Sequence, residues 1–442
     1  MSTAVSVIIP TYNWSEALRV SIASALAQTY RDFELLVIGD CCTDDSEEAA
    51  LSFGDGRIRW HNLETRSGSQ SGPNNHGISI AAGSLIAYLG HDDVWHPGHL
   101  ASLIATMKDT GADIACAVTA MYGPPGSGIR GLSGIFVGGR HRMDDFVPPS
   151  SMMHRRSLID RIGPWGHPEE TADAVDSALL RRAYNAGARP RSTERLTVFK
   201  FNSAWRRDSY VRRDASEQRR MLERLTADPG RCAEEEWAGL LRAMREKRLI
   251  ETRMPGGAAG PPGGFYHECL RNRGLEDGEV CELTEVRRFS IEDQSSALDW
   301  HGVERSEEWG TFRWSGPSPV AVLALPVRVP PRFRLRLQVL NFLQADVPRE
   351  VTLAVAGQPV AFTWHEAGGP AVLLEASVKL ADAPAGPLRV RIEVARLRCP
   401  FFETGGANQD QRWLGVGVSW IELEPLPPED ATAFPQPAAS AP

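Results

Sequence analysis

Polar side chains follow three apolar runs near the start of the chain, at the points where predicted strands end. The runs and the residues after them are Val5 to Pro10 with Thr11-Tyr12-Asn13, Phe33 to Ile38 with Asp40, and Leu85 to Leu89 with His91-Asp92-Asp93. Ligands of open α/β sheets bind beyond the carboxyl ends of the strands, so we expect these side chains to converge. Carboxylates suit Mg²⁺ or Mn²⁺, and Mg²⁺ commonly joins a carboxylate to substrate phosphates. The sequence therefore predicts a nucleotide and metal site.

Strand and helix patterns alternate over the first part of the chain, from residue 4 to about 120. The three apolar runs are nearly continuous, as in strands that are buried on both faces. Helical spacing separates them, for example over Ser15 to Gln28, and a further helix is predicted after Pro97, since proline suits a first helical turn. We expect a mainly parallel sheet with helices on both faces.

The composition is that of a soluble globular protein, because 42% of the 442 residues are hydrophobic and 24% are charged. This length suggests two or three domains. The net charge of −8 argues against general binding of nucleic acid, which usually needs a basic surface. The sequence has neither a signal-peptide pattern nor an apolar run of about 20 residues, which predicts a cytoplasmic protein. Its arginine-rich, lysine-poor composition suggests a GC-rich bacterial genome.

The remainder of the chain changes character twice. Residues 206–288 contain a charged stretch, Arg206 to Arg224, and a Gly/Pro cluster, Pro255 to Gly264, and are interpreted as a helical and Gly/Pro-rich linker. The charged stretch suits a solvated helix face, and the alternative is peripheral contact with an anionic inner membrane. Period-two alternation then predicts an antiparallel β-sandwich over 289–426. The Pro/Ala-rich tail, 427–442, is predicted to be disordered.

Three motifs in order give the chain a specific resemblance. They are V-S-V-I-I-P-T-Y-N from Val5, Q-T-Y-R-D-F-E-L-L-V-I-G-D from Gln28, and G-S-L-I-A-Y-L-G-H-D-D-V-W-H-P from Gly83. Together they are similar to family 2 glycosyltransferases of the GT-A fold. The stretch S-M-M-H-R-R-S-L-I from Ser151 and the pair Asp173 and Asp176 extend the similarity to about residue 200, so residues 1–205 are predicted to form the catalytic domain.

The resemblance implies a set of nucleotide-binding residues: Pro10, Thr11, Tyr12, Asp40, Asp92 and Asn75. Tyr12 is expected against the base, and Asp40 is expected to accept a hydrogen bond from the ring NH of uracil. The alternatives are a core-edge role for Tyr12 and a helix cap for Asp40. For the donor contact near the fourth strand, Asn74 competes with Asn75. The family usually has two acids where this chain has Gly39-Asp40.

The same resemblance implies a metal ligand and a catalytic base. Asp93 is expected to bind Mn²⁺ or Mg²⁺, with Asp92 as a ribose or bridging partner. Asp176, before an apolar helix, is expected to be the base, and Asp173 is its rival one helical turn away. Many relatives add a metal-binding His near residues 199–205, where this chain has none, so water or Asn202 would take that place.

These assignments predict an inverting, metal-dependent glycosyltransferase that moves a sugar from a nucleotide sugar, with UDP as the first choice. The acceptor would be a hydroxyl of a glycan, lipid-linked or protein acceptor in bacterial surface polysaccharide or glycoconjugate synthesis. The alternative is a catalytically weak protein that binds glycans through its β-sandwich. Its candidate platforms are Trp300, Trp309, Trp314, Trp364, Trp413 and Trp420. A nucleotidyltransferase would need a Gly-rich basic loop after the first strand, and Thr11 to Trp14 is neither.

Overall fold

The computed structural model describes residues 4–139, 141–251, 261–275, 280–293, 298–307, 310–340, 350–368, 371–384 and 386–427. The chain forms two compact units, residues 1–276 and 277–442. The four-part division proposed from the sequence stays a prediction, and its tail lies outside the described residues apart from Pro427. Within the described ranges, no helix is long and apolar enough to cross a membrane.

The first unit alternates strands and helices along the chain. Its strands are β1 (Val5–Thr11), β2 (Phe33–Gly39), β3 (Ile58–Asn62), β4 (Leu85–Tyr88), β5 (Asp93–Trp95), β6 (Ile114–Tyr122), β7 (Arg130–Ser133), β8 (Met152–Arg155), β9 (Arg191–Lys200) and β10 (Leu249–Glu251). Its helices are α1 (Ser15–Leu26), α2 (Ser46–Leu51), α3 (Ser71–Ile80), α4 (His99–Thr110), α5 (Ser157–Ile162), α6 (Val175–Asn185), α7 (Ser209–Arg212), α8 (Ser216–Ala227), α9 (Pro229–Arg245) and α10 (Gly264–Arg273).

One mixed sheet organises this unit, in the order β10-β7-β6-β8-β4-β1-β2-β3, with β9 paired to both β5 and β6. Strands β1 to β4 are parallel, and β8 then pairs antiparallel with β4. Alternate residues of β1 enter different cores. Val7 packs with Leu18 and Leu103 of α1 and α4, whereas Ile8 packs with Leu179 of α6. Both faces of β1 are therefore buried, as its continuous apolar run predicts.

The segment after β9 packs onto this unit through its helices. Cys232 and Leu240 of α9 and Met221 of α8 share a core with Val118 and Phe199 of the sheet. Several arginines of the charged stretch pair with acids: Arg206 with Glu217, Arg219 with Glu16, and Arg224 with Glu236. Residues 252–260, within the predicted linker, lie outside the described residues.

The second unit is an antiparallel sandwich. Its strands are β11 (Cys281–Glu282), β12 (Arg287–Ser290), β13 (Trp300–Ser306), β14 (Gly310–Ser315), β15 (Val320–Leu325), β16 (Val327–Arg328), β17 (Arg332–Leu340), β18 (Val351–Val355), β19 (Gln358–Val360), β20 (Thr363–Glu366), β21 (Ala371–Lys379), β22 (Leu388–Val394) and β23 (Gly417–Pro425). Seven strands form one sheet and four form the other, while β11 and β16 make a separate parallel pair. A one-turn helix, Pro400–Glu403, precedes β23.

The alternation of buried and half-buried side chains along the strands explains how the two sheets form a common core. In β17, Leu335 and Leu337 are buried and alternate with half-buried arginines, and they share a core with Leu323 and Val390 of the other sheet. The strands β18 and β19 pair across Ala356 and Gly357, which both have positive φ values, 48° and 82°. This backbone conformation favours a tight hairpin.

The tryptophans proposed as sugar platforms differ in exposure. Trp300 and Trp314 are buried, at 4% and 6% exposure, so their faces are used in packing. Trp364 is 48% exposed, and the guanidinium of Arg288 lies over the ring of Trp420. Trp309 lies outside the described residues. Core packing therefore accounts for two of the six.

Candidate functional site

The ends of β1, β2 and β4 meet at one edge of the sheet. Thr11 is paired with Gly39, and the Asp40 amide donates to the Thr11 carbonyl (2.8 Å). On the other side of β1, the Leu89 amide donates to the Ile8 carbonyl (2.9 Å). The Thr11 hydroxyl is 2.7 Å from Nδ1 of His91. The structure thus brings together the residues that the sequence placed after three separate strands.

Asp40 organises the loop that follows β3. One carboxylate oxygen accepts from the amide and hydroxyl of Ser67 (2.7 and 2.8 Å), and the other accepts from the amide of Gly68 (2.8 Å). The side chain is only 4% exposed. Asp40 therefore lies at the expected strand end, and in this structure it binds the loop backbone.

Tyr12 presents its ring beside the same loop. The guanidinium of Arg66 lies 4.2 Å from the ring centroid, and the ring of Tyr210 is 6.3 Å away. Tyr12 and Pro10 are half-buried, whereas Thr11 is buried and its hydroxyl bonds His91. Among the residues proposed from β1, Tyr12 is thus the one with an aromatic ring for a nucleobase, and Arg66 covers that ring in this structure.

The missing acid before Asp40 has a structural explanation at Gly39. A Cβ atom there would lie 2.5 Å from Oδ1 of Asn62 and 2.9 Å from the Trp60 ring. Asn62 is held in place because its side chain bonds both the amide and the carbonyl of Cys42 (2.8 and 2.9 Å). The space that a second acid would occupy is filled by β3 side chains.

A Gly39→Ala variant is expected to be less stable than the native chain by about 1–3 kcal/mol, since overpacking forces neighbouring side chains to move. Urea unfolding followed by fluorescence measures the change. Gly56→Ala is the control, because a Cβ at that position meets no atom within 4 Å. Equal stability of the two variants would show that Asn62 and Trp60 yield easily.

Asp93 is fully buried and its carboxylate is occupied. One oxygen accepts from the Ser150 hydroxyl (2.5 Å) and the Lys200 ammonium (3.0 Å), and the other accepts from the Phe201 amide (3.2 Å). Strands β5 and β9 create this contact, because Asp93 and Lys200 are directly paired. Burial raises the pKa of Asp93 to about 6, against the opposing effect of Lys200. Burial also acts to lower the pKa of Lys200, but the acids around it raise it overall.

An Asp93→Asn variant is expected to be destabilised by about 3 kcal/mol, because it leaves the charge of Lys200 buried without its partner. Thermal unfolding measures the effect. The double variant Asp93→Asn with Lys200→Met should recover part of the loss, since it removes both charges. A single variant as stable as the native chain would contradict a structural role for this pair.

Asp92 differs from its neighbour in having an uncommitted carboxylate. Its backbone carbonyl accepts from Gln218 (3.3 Å), but no side chain or amide of the described residues donates to its carboxylate. The side chain is 8% exposed, compared with 0% for Asp93. The sequence assigned the metal to Asp93 and a bridging role to Asp92. The structure places the unoccupied carboxylate at Asp92, so we move the proposed metal contact there.

Few protein side chains of the described residues are available as ligands of a divalent ion. Across the part of the chain that the structure describes, no group of three or more His, Cys, Asp or Glu side chains could hold a metal. Asn202, proposed as a substitute ligand, instead accepts from the Ala204 amide (3.1 Å) and caps a short turn. The carboxylate of Asp92 still fits an ion that takes its other oxygen ligands from a diphosphate and water.

Asp176 lies in the first turn of α6, with its side chain 8% exposed. It accepts from the Ser177 amide (2.8 Å), and burial raises its pKa. The positive charges of Lys200 and Arg273 partly oppose this rise. The rival, Asp173, forms an ion pair with Arg181 at 2.5 Å. The environment of Asp176 suits a catalytic base better, because no ion pair with another described residue holds its carboxylate.

Asn75, proposed as a donor contact, is engaged elsewhere. Its side-chain nitrogen donates to the backbone carbonyl of Trp165 (2.9 Å), and its side-chain oxygen accepts from the backbone amide of Trp165 (2.8 Å). Asn75 therefore fixes the loop before α6. Its rival Asn74 is fully buried, and neither polar atom of its side chain has a partner among the described residues.

Three residues of the site were not predicted from the sequence: Lys200, Tyr210 and Arg273. The Tyr210 hydroxyl is 2.9 Å from Nε2 of His91, whose pKa is lowered by burial. The Arg273 Nε donates to the Ser203 hydroxyl (3.1 Å). Lysine is rare in this chain, which was the one available signal for Lys200. Tyr210 and Arg273 had none, since they enter the site through tertiary packing.

The residues before α6 match a known sequence family. The profile described as Glycosyl transferase family 2 matches residues 6–166. That range contains Tyr12, Asp40 and Asp92. It ends before Asp176 and Lys200.

Curated relatives match part of the chain. An uncharacterised glycosyltransferase of Rickettsia prowazekii is 40% identical over 99 residues, 22% of this chain and 30% of that protein. The Escherichia coli UDP-Glc:alpha-D-GlcNAc-diphosphoundecaprenol beta-1,3-glucosyltransferase WfgD is 38% identical over 103 residues, 23% of this chain and 40% of that protein. The Staphylococcus aureus poly(ribitol-phosphate) beta-N-acetylglucosaminyltransferase TarP is 30% identical over 167 residues, 36% of this chain and 50% of that protein. The chain thus spans half or less of these relatives.

Solved structures match part of this chain. Residues 1-349 of S. aureus TarS in complex with UDP are 20% identical, with a TM-score of 0.39, over 46% of this chain and 61% of that one. The Pyrobaculum calidifontis mannosyltransferase PcManGT in complex with GDP-Man and Mn²⁺ is 17% identical, with a TM-score of 0.36, over 55% of this chain and 75% of that one.

Proposed function

We propose that the chain transfers a sugar from a nucleotide sugar to an acceptor hydroxyl, with inversion at the anomeric carbon. It would then be a family 2 glycosyltransferase of the GT-A fold, and the match of residues 6–166 to the Glycosyl transferase family 2 profile supports this. The observation that carries this proposal is the position of Lys200. Its ammonium bonds Asp93, and its charge also interacts with Asp92 and Asp176. The proposed metal-binding carboxylate, Asp92, and the proposed catalytic base, Asp176, therefore both interact electrostatically with one buried cation.

The donor is a UDP sugar in this proposal. The ring of Tyr12 stacks on the base, and Asp40 and its loop contact the base edge. The E. coli relative is named as a transferase that uses UDP-Glc, which supports the choice of nucleotide. A divalent Mn²⁺ or Mg²⁺ ion would be held by Asp92 and the donor diphosphate, and its chemistry would be to neutralise negative charge on the diphosphate.

Asp176 accepts the proton of the acceptor hydroxyl as that oxygen attacks the anomeric carbon. A buried carboxylate with a raised pKa is a stronger base than an exposed one. One such base and one displacement give inversion. The acceptor is a bacterial glycan or glycoconjugate, and the names of the E. coli and S. aureus relatives support this choice.

A panel of nucleotide sugars tests this function. The native chain is incubated with each donor, a mixed glycan acceptor and Mn²⁺, and release of nucleoside diphosphate is measured. Release from one UDP sugar above the rate for Asp176→Asn supports the proposal. Binding of glycans by the isolated protein, with no turnover of any donor and no affinity for UDP, would instead favour the binding-module alternative.

A further inference from the structure

Helix α10 lies beyond the family-matched residues and is fixed against the site at both ends. At its start, the Gly263 amide donates to the Thr171 carbonyl (2.9 Å), just before Asp173. At its end, the Asp208 amide donates to the Asn272 carbonyl (2.7 Å), next to Tyr210. The helix thus spans from the approach to α6 to the segment that carries Tyr210.

The first half of α10 lines an open pocket of about 430 Å³. Tyr266 and His267 form one side, and the Asp40 loop forms the other with Arg66, Ser67 and Gly68. The Tyr266 hydroxyl packs against Gly68. Because Arg66 also covers the Tyr12 ring, this pocket adjoins the ring on which the nucleobase is proposed to stack.

The last residue of α10 brings a cation to the acidic part of the site. Arg273 is half-buried, and its Nε is fixed by the Ser203 hydroxyl (3.1 Å). Its two terminal nitrogens donate to no residue within the described ranges. Ser203 lies two residues after Phe201, whose amide donates to Asp93 (3.2 Å), so Arg273 is fixed beside the segment that contacts the acid pair. The charge of Arg273 also interacts with those of Asp92 and Asp176. Lys200, a second cation that interacts with these acids, is already bonded to Asp93.

We propose that helix α10 forms the roof of the donor site and that Arg273 binds the diphosphate of the nucleotide sugar. This inference rests on the proposed function. A guanidinium with a free fork matches the geometry of phosphate oxygens. It also offsets the repulsion between the diphosphate and Asp92.

Arg273 would act on the leaving group. As the acceptor oxygen bonds to the anomeric carbon, the bond from that carbon to the β-phosphate oxygen breaks and its electron pair stays on the phosphate. The acceptor proton passes to Asp176. The nucleoside diphosphate leaves with one more negative charge, and the guanidinium stabilises this charge as it develops.

The test compares UDP with uridine, because only UDP carries the group that Arg273 would contact. Affinities are measured by calorimetry without added metal for the native chain, Arg273→Ala, Arg273→Lys and the control Arg271→Ala, whose side chain is exposed on the same helix. We expect Arg273→Ala to bind UDP about tenfold to a hundredfold more weakly. Uridine affinity should not change, Arg271→Ala should resemble the native chain, and Arg273→Lys should be intermediate.

Each other outcome overturns the inference in a recognisable way. Equal UDP affinity of Arg273→Ala and the native chain excludes a diphosphate contact while leaving the proposed function intact. Equal losses for UDP and uridine indicate that the variant only displaces α10, and Ser203→Ala, which keeps the guanidinium, should then show the same equal loss. A native chain that binds no nucleotide at all removes both proposals.

Discussion

An Asp176→Asn variant is expected to lose about a hundredfold to ten-thousandfold in kcat, the usual contribution of a general base. The amide keeps the shape of the carboxylate but cannot accept the acceptor proton. UDP affinity and the melting temperature should remain close to native, because Asp176 accepts only one hydrogen bond within the described residues, from the neighbouring Ser177 amide. Steady-state release of nucleoside diphosphate measures the change.

Asp173→Asn is the matched control, since Asp173 lies three residues before Asp176 and pairs with Arg181. The Asp173→Asn variant should lose far less kcat than the Asp176→Asn variant. The pH profile gives a second criterion. Burial raises the pKa of Asp176, and the reactive form is the carboxylate. Activity should therefore fall as the pH decreases through that raised pKa, at a higher pH than an ordinary aspartate would give, and this limb should vanish in Asp176→Asn. A larger loss in Asp173→Asn would transfer the role of base to Asp173.

An Asp92→Asn variant is expected to reduce kcat/KM for the donor by at least about a hundredfold, since metal-assisted charge neutralisation is worth several kcal/mol. The same change should abolish the increase in UDP affinity that Mn²⁺ produces in the native chain. The melting temperature should remain close to native, because no described residue donates to the Asp92 carboxylate. Calorimetric titration with UDP, with and without Mn²⁺, measures the metal response.

The comparison with Asp93→Asn separates the two neighbouring acids. If Asp92 holds the metal, Asp92→Asn loses the metal response and keeps its stability, whereas Asp93→Asn does the reverse. A stable Asp93→Asn variant without a metal response would restore the assignment made from the sequence. Native UDP affinity that is indifferent to Mn²⁺ would remove the metal from the proposal.

Local pattern predicted the elements that end at the site. The continuous apolar runs gave β1, β2 and β4, and the position of Asp40 and Asp92 at the strand ends followed from the topology of open α/β sheets. The alternation in β17 and β22 gave the second unit in the same way. These features depend on residues close together in the sequence, so they are visible without a structure.

The unpredicted features depend on pairing between distant residues. The antiparallel contact of β5 with β9 brings Lys200 to Asp93 across more than one hundred residues. That contact decides which of two adjacent acids is free, and no local pattern distinguishes Asp92 from Asp93. The packing of Asn62 against Gly39 is likewise a contact between neighbouring strands, and it replaces the acid that the family resemblance led us to expect.

The pairing of β5 with β9 also bears on where the gene can be cut or fused. A shortened chain that stops at residue 166, where the family match ends, would lack the strand that supplies Lys200. Asp93 would then keep its place beside Ser150 without a counter-charge, and Val94 and Trp95 would form an exposed sheet edge. Recombination or truncation within 167–200 should therefore give insoluble products. The shortest polypeptide that keeps the candidate site intact therefore extends beyond the residues that match the family.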